Sequence, residues 1–441
     1  MILLNLFNHF YAIFYSNNIQ ILIKKLTIIT NSIIFLVIKS LYSYKEREEN
    51  IMKKFLSVVL VAAMSLSLLA GCGSSNASTA SNESAAGETW KIGGIGPITG
   101  GAAVYGIGVM TGAQIAVDEI NAAGGINGYQ IEFNFQDDEL DNEKSVNAYN
   151  SLKDWGMQML MGTVTSGCCV AVAAESAKDN MFQITPSGSA VDCITNDNVF
   201  QVCFTDPNQG IASADYIADN KVASKIAVIY DSSDVYSSGI YAKFAEEAAA
   251  KGLEIVATEA FTADNKTDFS VQLQKAQDAG AELVFLPFYY TEASLVLTQA
   301  STMGYNPIFF GCDGLDGILD VENFDKSLAE GVMLLTPFAA DATDDLTVKF
   351  VTEYDKRKSE VPNQFAADAY DAIYAIKACI EAKGLTPADD VATICTAMKE
   401  AITSVSVDGL TGNGMTWSAS GEVNKAPKAV IIADGAYKSA E

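Results

Sequence analysis

The sequence predicts an α/β protein of two Rossmann-like lobes with parallel sheets, and three features carry that prediction. From Trp90 onward, short apolar runs alternate with longer Ala-rich amphipathic stretches, the pattern of repeated βα units. The runs are continuously apolar rather than alternating, as befits parallel strands covered on both faces. The alternation spans roughly 350 residues, more than one such core usually holds, so two domains are expected.

Strands are expected first at Lys91–Gly96, Ile131–Phe135, Gln158–Gly162, Phe182–Thr185 and Val199–Val202. A second set falls at Ile226–Tyr230, Leu253–Ala257, Leu283–Leu286, Ile308–Phe310 and Val332–Leu335. Amphipathic helical stretches lie between them, such as Thr111–Asn121, Ser237–Lys251 and Ser270–Ala279. Gly162-Thr163-Val164-Thr165-Ser166 reads as a strand end leading into a helix at about Cys168. After Leu335 the pattern changes to three helices, Asp344–Arg357, Phe365–Ala382 and Asp389–Ala401. Short strands follow near Val405, Met415 and Ala429–Ile432.

The segment ahead of this body has its own logic. Met52, the basic pair Lys53-Lys54 and the apolar run Phe55–Leu69 form the two regions of a secretory signal, too short for a comfortable membrane span. Leu69-Ala70-Gly71-Cys72 resembles a bacterial lipobox, in which the Cys thiol is acylated and becomes the new N-terminus. Residues 52–71 are therefore expected to be a lipoprotein signal peptide, and 72–89, rich in Ser, Ala and Asn, a flexible tether. A membrane helix immediately before a complete signal makes little physical sense. Residues 1–51 are accordingly read as an upstream extension, with translation starting at Met52.

Without residues 1–71 the chain keeps 21 basic and 51 acidic residues, a formal charge near −30. That balance argues against nucleic acid or anionic lipid as a partner. The one histidine, His9, is also removed, which leaves no His-based acid–base pair, triad or zinc site. Arg357 is the single arginine remaining, so an anionic ligand must be held without guanidinium forks. Of the eight cysteines, Cys72 is assigned to the lipid. The other seven show no C-x-x-C metal spacing, and Cys168-Cys169 bridging to Cys193 or Cys203 stands beside the alternative of buried free thiols. The glycines of Gly93-Gly94-Ile95-Gly96 lack the Gly-Lys-Ser/Thr of a phosphate loop, and Thr99 stands where a dinucleotide fingerprint needs its third glycine. No cofactor or metal is expected.

Several ordered stretches then carry a family resemblance. They begin with Ile92-Gly93-Gly94-Ile95-Gly96-Pro97-Ile98-Thr99-Gly100, Tyr105-Gly106, Gly112-Ala113 and Ile120-Asn121-Ala122-Ala123-Gly124-Gly125-Ile126-Asn127-Gly128. They continue through Thr185-Pro186-Ser187-Gly188-Ser189, Tyr230-Asp231, Tyr236, Thr267-Asp268-Phe269, Tyr289-Tyr290-Thr291-Glu292, Gly311-Cys312-Asp313-Gly314 and Tyr370-Asp371-Ala372. Together these resemble the branched-chain amino-acid-binding proteins of ABC importers, which are type I periplasmic-binding proteins, over essentially all of 90–441. The resemblance implies two lobes joined by three crossovers, placed near 203–208, 335–340 and 403–413. The N-terminal lobe would then comprise 90–206 and 340–404, and the C-terminal lobe 207–339 and 405–441.

The expected site has a chemical logic beside the resemblance. A free amino acid carries a carboxylate and an ammonium, and both need partners once water is excluded. Thr165 and Ser166 fall at a helix start, where amides and the helix dipole favour an anion. Ser187-Gly188-Ser189 presents a second loop of hydroxyls and N–H groups after its strand; each serine is also a plausible helix cap. The resemblance implies that Ser166 and Ser189 hold the carboxylate and that the Ser187 carbonyl accepts from the ammonium. It places Asp313 opposite as the ammonium's partner, Asp standing where some relatives carry Glu. Tyr105 is expected to enter the cleft, and Tyr236 with Tyr289 or Tyr290 to frame the ligand. Neighbours on an extended segment face opposite sides, so the choice between the last two stays open.

The function this implies is an extracytoplasmic lipoprotein, lipid-anchored at Cys72 and working as a monomer. It would capture amino acids, Leu, Ile or Val first, and pass them to an ABC permease in the membrane. A ligand-binding sensor module on the same fold is the alternative. A hydrolase would need a nucleophile and a base that the chain does not offer.

Overall fold

The computed structural model describes residues 88–440. The expectations for 1–51, for the signal 52–71, for Cys72 and for most of the tether lie outside these residues. Five parallel strands form the first sheet: β1 (Trp90–Gly96), β2 (Ile131–Asp137), β3 (Met159–Gly162), β4 (Gln183–Thr185) and β5 (Val199–Gln201), in the order β2-β1-β3-β4-β5. The second sheet contains β6 (Lys225–Asp231), β7 (Glu254–Phe261), β8 (Leu283–Leu286), β9 (Ile308–Gly311), β10 (Met333–Thr336), β11 (Lys428–Ala433) and β12 (Ala436–Ser439). Its order is β12-β11-β10-β9-β8-β6-β7, parallel except where β11 joins β10 and β12. Every expected parallel strand is present, and β12 is an addition the apolar pattern did not signal. Strand order reverses between β1 and β3 in one sheet and between β6 and β8 in the other. Open α/β sheets bind ligands at the carboxyl ends of strands beside such reversals.

The helices are α1 (Ala103–Ala122), α2 (Asn142–Trp155), α3 (Ser166–Lys178), α4 (Asp206–Asp219), α5 (Val235–Lys251), α6 (Ser270–Asp278) and α7 (Tyr290–Met303), then α8 (Asp345–Lys358), α9 (Gln364–Lys383) and α10 (Val391–Ile402). Among the described residues no helix is long and apolar enough to cross a membrane. Helix α2 escapes the apolar pattern because its inward face is Ser145, Ala148, Tyr149 and Leu152, half of it small. Local chemistry sets its ends instead. Asp141 caps it by accepting from the Lys144 amide at 2.9 Å, and Gly156 closes it at φ 92°. Helix α4 buries Asp206, Gln209 and Ser213 beside Ala214 and Ile217, which likewise hides its stripe.

Helices α1 and α9 pack closely against each other over the first sheet. A Cβ at Gly112 would lie 1.9 Å from the Ala366 carbonyl oxygen, so this approach requires glycine. The chain passes between sheets three times: between Gln201 and Asp206, between Thr336 and Asp345, and between Lys425 and Lys428. The last differs from the expectation of a crossing near 403–413 with 405–441 in the second lobe. Residues 405–425 instead stay with the first. The Gly421 carbonyl accepts from the Gln201 amide at 2.9 Å, and Trp417 Nε1 donates to the Gln201 carbonyl at 2.7 Å. Leu410 and Thr411 donate their amides to Asp371 on α9. The short strands expected here are isolated bridges, Val407 to Met415 and Trp417 to Val423. These local pairings run beside β5, so the segment's apolar residues bury against the first lobe.

Candidate functional site

The site forms where the carboxyl ends of the two sheets face each other. From the first lobe, β3 runs into Val164 and Thr165, and Thr165 stands at the N-cap of α3. Its hydroxyl makes no capping bond and is buried without a hydrogen-bond partner, an unused donor and acceptor at a helix N-terminus. Ser166 Oγ accepts from the Ala190 amide at 3.2 Å, and Ser187 Oγ donates to the Val164 carbonyl at 2.7 Å. These bonds tie the loop after β4 to the loop after β3.

The second lobe contributes Tyr236 from α5, Tyr289 after β8, and Asp313 and Gly314 after β9. Asp313 is 2 % exposed. Its Oδ1 accepts from the Tyr236 hydroxyl at 2.6 Å, and its amide donates to Gln209 Oε1 at 3.1 Å. Burial pushes the Asp313 carboxyl up to about 7, against the opposing pull of hydrogen bonds from Tyr236 and Gln209. None of the described residues lining the cavity is basic.

The lobes are closed on one another. Tyr105 donates its hydroxyl to the Gly314 carbonyl, the Val104 amide donates to Tyr290 Oη at 3.1 Å, and Thr291 Oγ1 donates to the Gly101 carbonyl at 2.6 Å. Gln364, at the start of α9, donates its amide to Asp316 at 2.8 Å and its side chain to the Asp313 carbonyl at 3.1 Å. The cavity left between Tyr105, Val164, Thr165, Ser166, Ser187, Tyr236, Tyr289, Asp313, Gly314 and Phe365 is about 10 Å³, room for one water. A ligand therefore enters by parting of the lobes. Outward, past Thr165 and Tyr289, a cleft of about 630 Å³ carries Asp141, Glu143, Asp231, Asp234 and Glu292. Lys266 offsets only Glu292, at 2.8 Å. The mouth of the cleft therefore favours a cationic group over an anionic one.

Seven of the ten expected site residues line the inner cavity: Tyr105, Thr165, Ser166, Ser187, Tyr236, Tyr289 and Asp313. Three do not. Tyr290 turns away to the lobe contact, where its ring meets Tyr105 edge-on at 4.8 Å, so Tyr289 is the one that faces the cavity. Gly188 packs behind the loop, where a Cβ would lie 2.8 Å from Thr185 Oγ1 and 2.9 Å from Cys169 Cβ. Ser189 is fully buried, its carbonyl accepting from the Asp206 amide at 3.0 Å. Val164, Gly314 and Phe365 complete the lining without having been expected. Gly314 adjoins Asp313 in sequence, whereas Phe365 reads only as the apolar start of a helix.

Two lobes, parallel sheets and a site closed between them define a binding protein of the hinged, two-lobed class. The profile of the periplasmic binding protein family matches residues 89–433, and the chain belongs to that family. It is similar to Leu/Ile/Val-binding protein homolog 3 of Brucella melitensis, 32 % identical over 326 residues, 74 % of this chain and 87 % of that one. The Leu/Ile/Val-binding protein of Escherichia coli is 27 % identical over 360 residues, covering 81 % and 93 %. Among solved structures, the branched-chain amino acid transporter substrate binding protein LivJ from Streptococcus pneumoniae, in complex with isoleucine, aligns with a TM-score of 0.73. It is 28 % identical over 80 % of this chain and 98 % of its own.

Proposed function

We propose that this protein captures a free α-amino acid with a branched aliphatic side chain and delivers it to an ABC permease. The observation that carries the reading is the opposition, across one cavity, of two unlike ends. Unsatisfied Thr165 and the α3 N-terminus stand on the first lobe, and buried Asp313, with no basic partner in the cavity, stands on the second. The helix end, with the hydroxyls of Thr165 and Ser166, takes the carboxylate, while Asp313 and the Ser187 carbonyl take the ammonium. Val164, Tyr105, Tyr289 and Phe365 supply the apolar wall that an aliphatic side chain needs. The names of the relatives in Brucella and Escherichia coli, and the isoleucine held by the Streptococcus protein, support this choice of side chain.

A ligand touching both lobes stabilises the closed form, and that closure is what the permease reads. The protein works as a monomer and does no chemistry on its cargo. Its place is the outer face of the cell membrane, held by acylation of Cys72, where confinement raises its concentration at the transporter. Calorimetric titration with each of the twenty amino acids tests the reading, followed by chromatography of the recovered ligand. Tight binding of Leu, Ile or Val with the ligand returned unchanged is expected. No binding by any of them, or a converted product, contradicts it.

A further inference from the structure

All seven described cysteines are free and buried, and two of them, Cys169 and Cys193, share one buried cluster behind the N-terminus of α3. Cys169 lies in the first turn of α3, three residues after Ser166, and Cys193 lies in the short turn Val191–Ile194 that follows Ser187. They share one packed cluster with Ala173, Ala190 and Ile194, and both are fully buried. Cys193 Sγ sits 3.7 Å from the Ser166 carbonyl, and Cys169 Sγ accepts from Gln183 Nε2 at 3.6 Å. Gly188 permits the approach, since a Cβ there would meet Cys169 Cβ at 2.9 Å and its Sγ at 3.1 Å. Neighbouring Cys168 points elsewhere, toward Asp138 and Ser145.

We propose that Cys169 and Cys193 are a thiol pair that closes to a disulfide, fastening the helix start that carries Ser166 to the loop that carries Ser187. The two thiols are unlike. Hydrogen bonds from Cys193, Thr185 and Thr163 hold Cys169 below its ordinary range against burial, whereas burial first of all raises Cys193. Cys169 also lies in the first turn of α3, where the helix dipole favours a thiolate, and it is the attacking sulfur. Its thiolate displaces one thiolate from a disulfide oxidant of the kind exported proteins meet, forming a mixed disulfide. Cys193 then attacks the Cys169 sulfur and releases the second thiol. Two electrons and two protons pass to the oxidant, which ends as two thiols. The closed loop of about 24 residues narrows the unfolded ensemble and stiffens both segments.

The test takes the full chain, fully reduced, through incubation with oxidised glutathione, then alkylation in denaturant and peptide mapping by mass spectrometry. The expected result is a loss of about 2 Da and one cross-linked peptide joining Cys169 to Cys193. Cys168, Cys203, Cys312, Cys379 and Cys395 should all be alkylated. The unfolding midpoint should rise by at least about 3 °C. Cys193→Ala, compared with itself before and after the same oxidant, should show neither change. Alkylation of both Cys169 and Cys193, a glutathione adduct persisting on either of them, a bridge through Cys168 or Cys203, or a bridge that leaves the midpoint unchanged or lower would overturn the proposal. No ligand enters these readouts, so their failure leaves the amino-acid reading untouched.

Discussion

Tyr236 donates its hydroxyl to Asp313 Oδ1 at 2.6 Å, while the Gly314 amide donates to the same phenol oxygen at 2.9 Å. The phenol thus fixes the carboxyl's orientation and passes it the polarisation of a backbone amide. Tyr236→Phe keeps the ring and removes that bond, leaving the carboxyl with burial against its charge. L-leucine should then bind about tenfold more weakly, the scale of one hydrogen bond to a charged group. Calorimetric titration checks this, with the unfolding midpoint staying within about 2 °C.

The acidity of Asp313 predicts a pH dependence of definite sign. Its carboxyl is raised from 3.8 to about 7 in the folded protein. The proton therefore favours the folded, ligand-free state, and that contribution fades as pH rises from about 4 to 7. A bound ammonium does the reverse, favouring the ionised carboxyl. Affinity for L-leucine should climb with pH up to about 7 and level off above it. Binding at about pH 6 should release close to one proton, read from calorimetry in buffers of different ionisation heat. Asp316 is also pushed up to about 7 by burial, so Asp313→Asn is the control that must flatten the affinity profile.

A buried ion pair holds the 405–425 segment to the first lobe. Lys425 Nζ lies 2.7 Å from Asp368 Oδ1 and also donates to Thr411, and the two charged side chains are 1 % and 2 % exposed. Lys425→Ala strands a carboxyl in the core and should cost about 3–5 kcal/mol in urea unfolding. Replacing both partners, as Lys425→Met with Asp368→Leu, should recover much of that loss.

The parallel sheets were legible because their strands are uniformly apolar and the turns between them are marked by glycine and polar caps. Helices α2 and α4 were not, because burial there falls on Ser145, Gln209 and Ser213, residues that hydropathy counts as surface. The third crossing was misplaced for a related reason. What fixes 405–425 is Trp417 on the Gln201 carbonyl and Lys425 on Asp368, long-range bonds with no local periodicity. At the site, Thr165, Ser166 and Asp313 declare themselves by following strands. The turn of Tyr290 away from the cavity, the packing duty of Gly188 and the burial of Ser189 depend on contacts from distant segments. Phe365 carries no sequence signal beyond starting an apolar helix.

The central claim is that one cavity grips both ends of a zwitterion, and ligands missing one end test it most directly. Calorimetry should compare L-leucine with 4-methylpentanoate, which lacks the ammonium, and 3-methylbutylamine, which lacks the carboxylate, on the unaltered chain and on Asp313→Asn. Each analogue should bind at least about a hundredfold more weakly than L-leucine, since each leaves a buried group unpaired. Asp313→Asn should weaken L-leucine while leaving 4-methylpentanoate no worse than before. Binding of 4-methylpentanoate as tight as that of L-leucine to the unaltered chain would contradict the account.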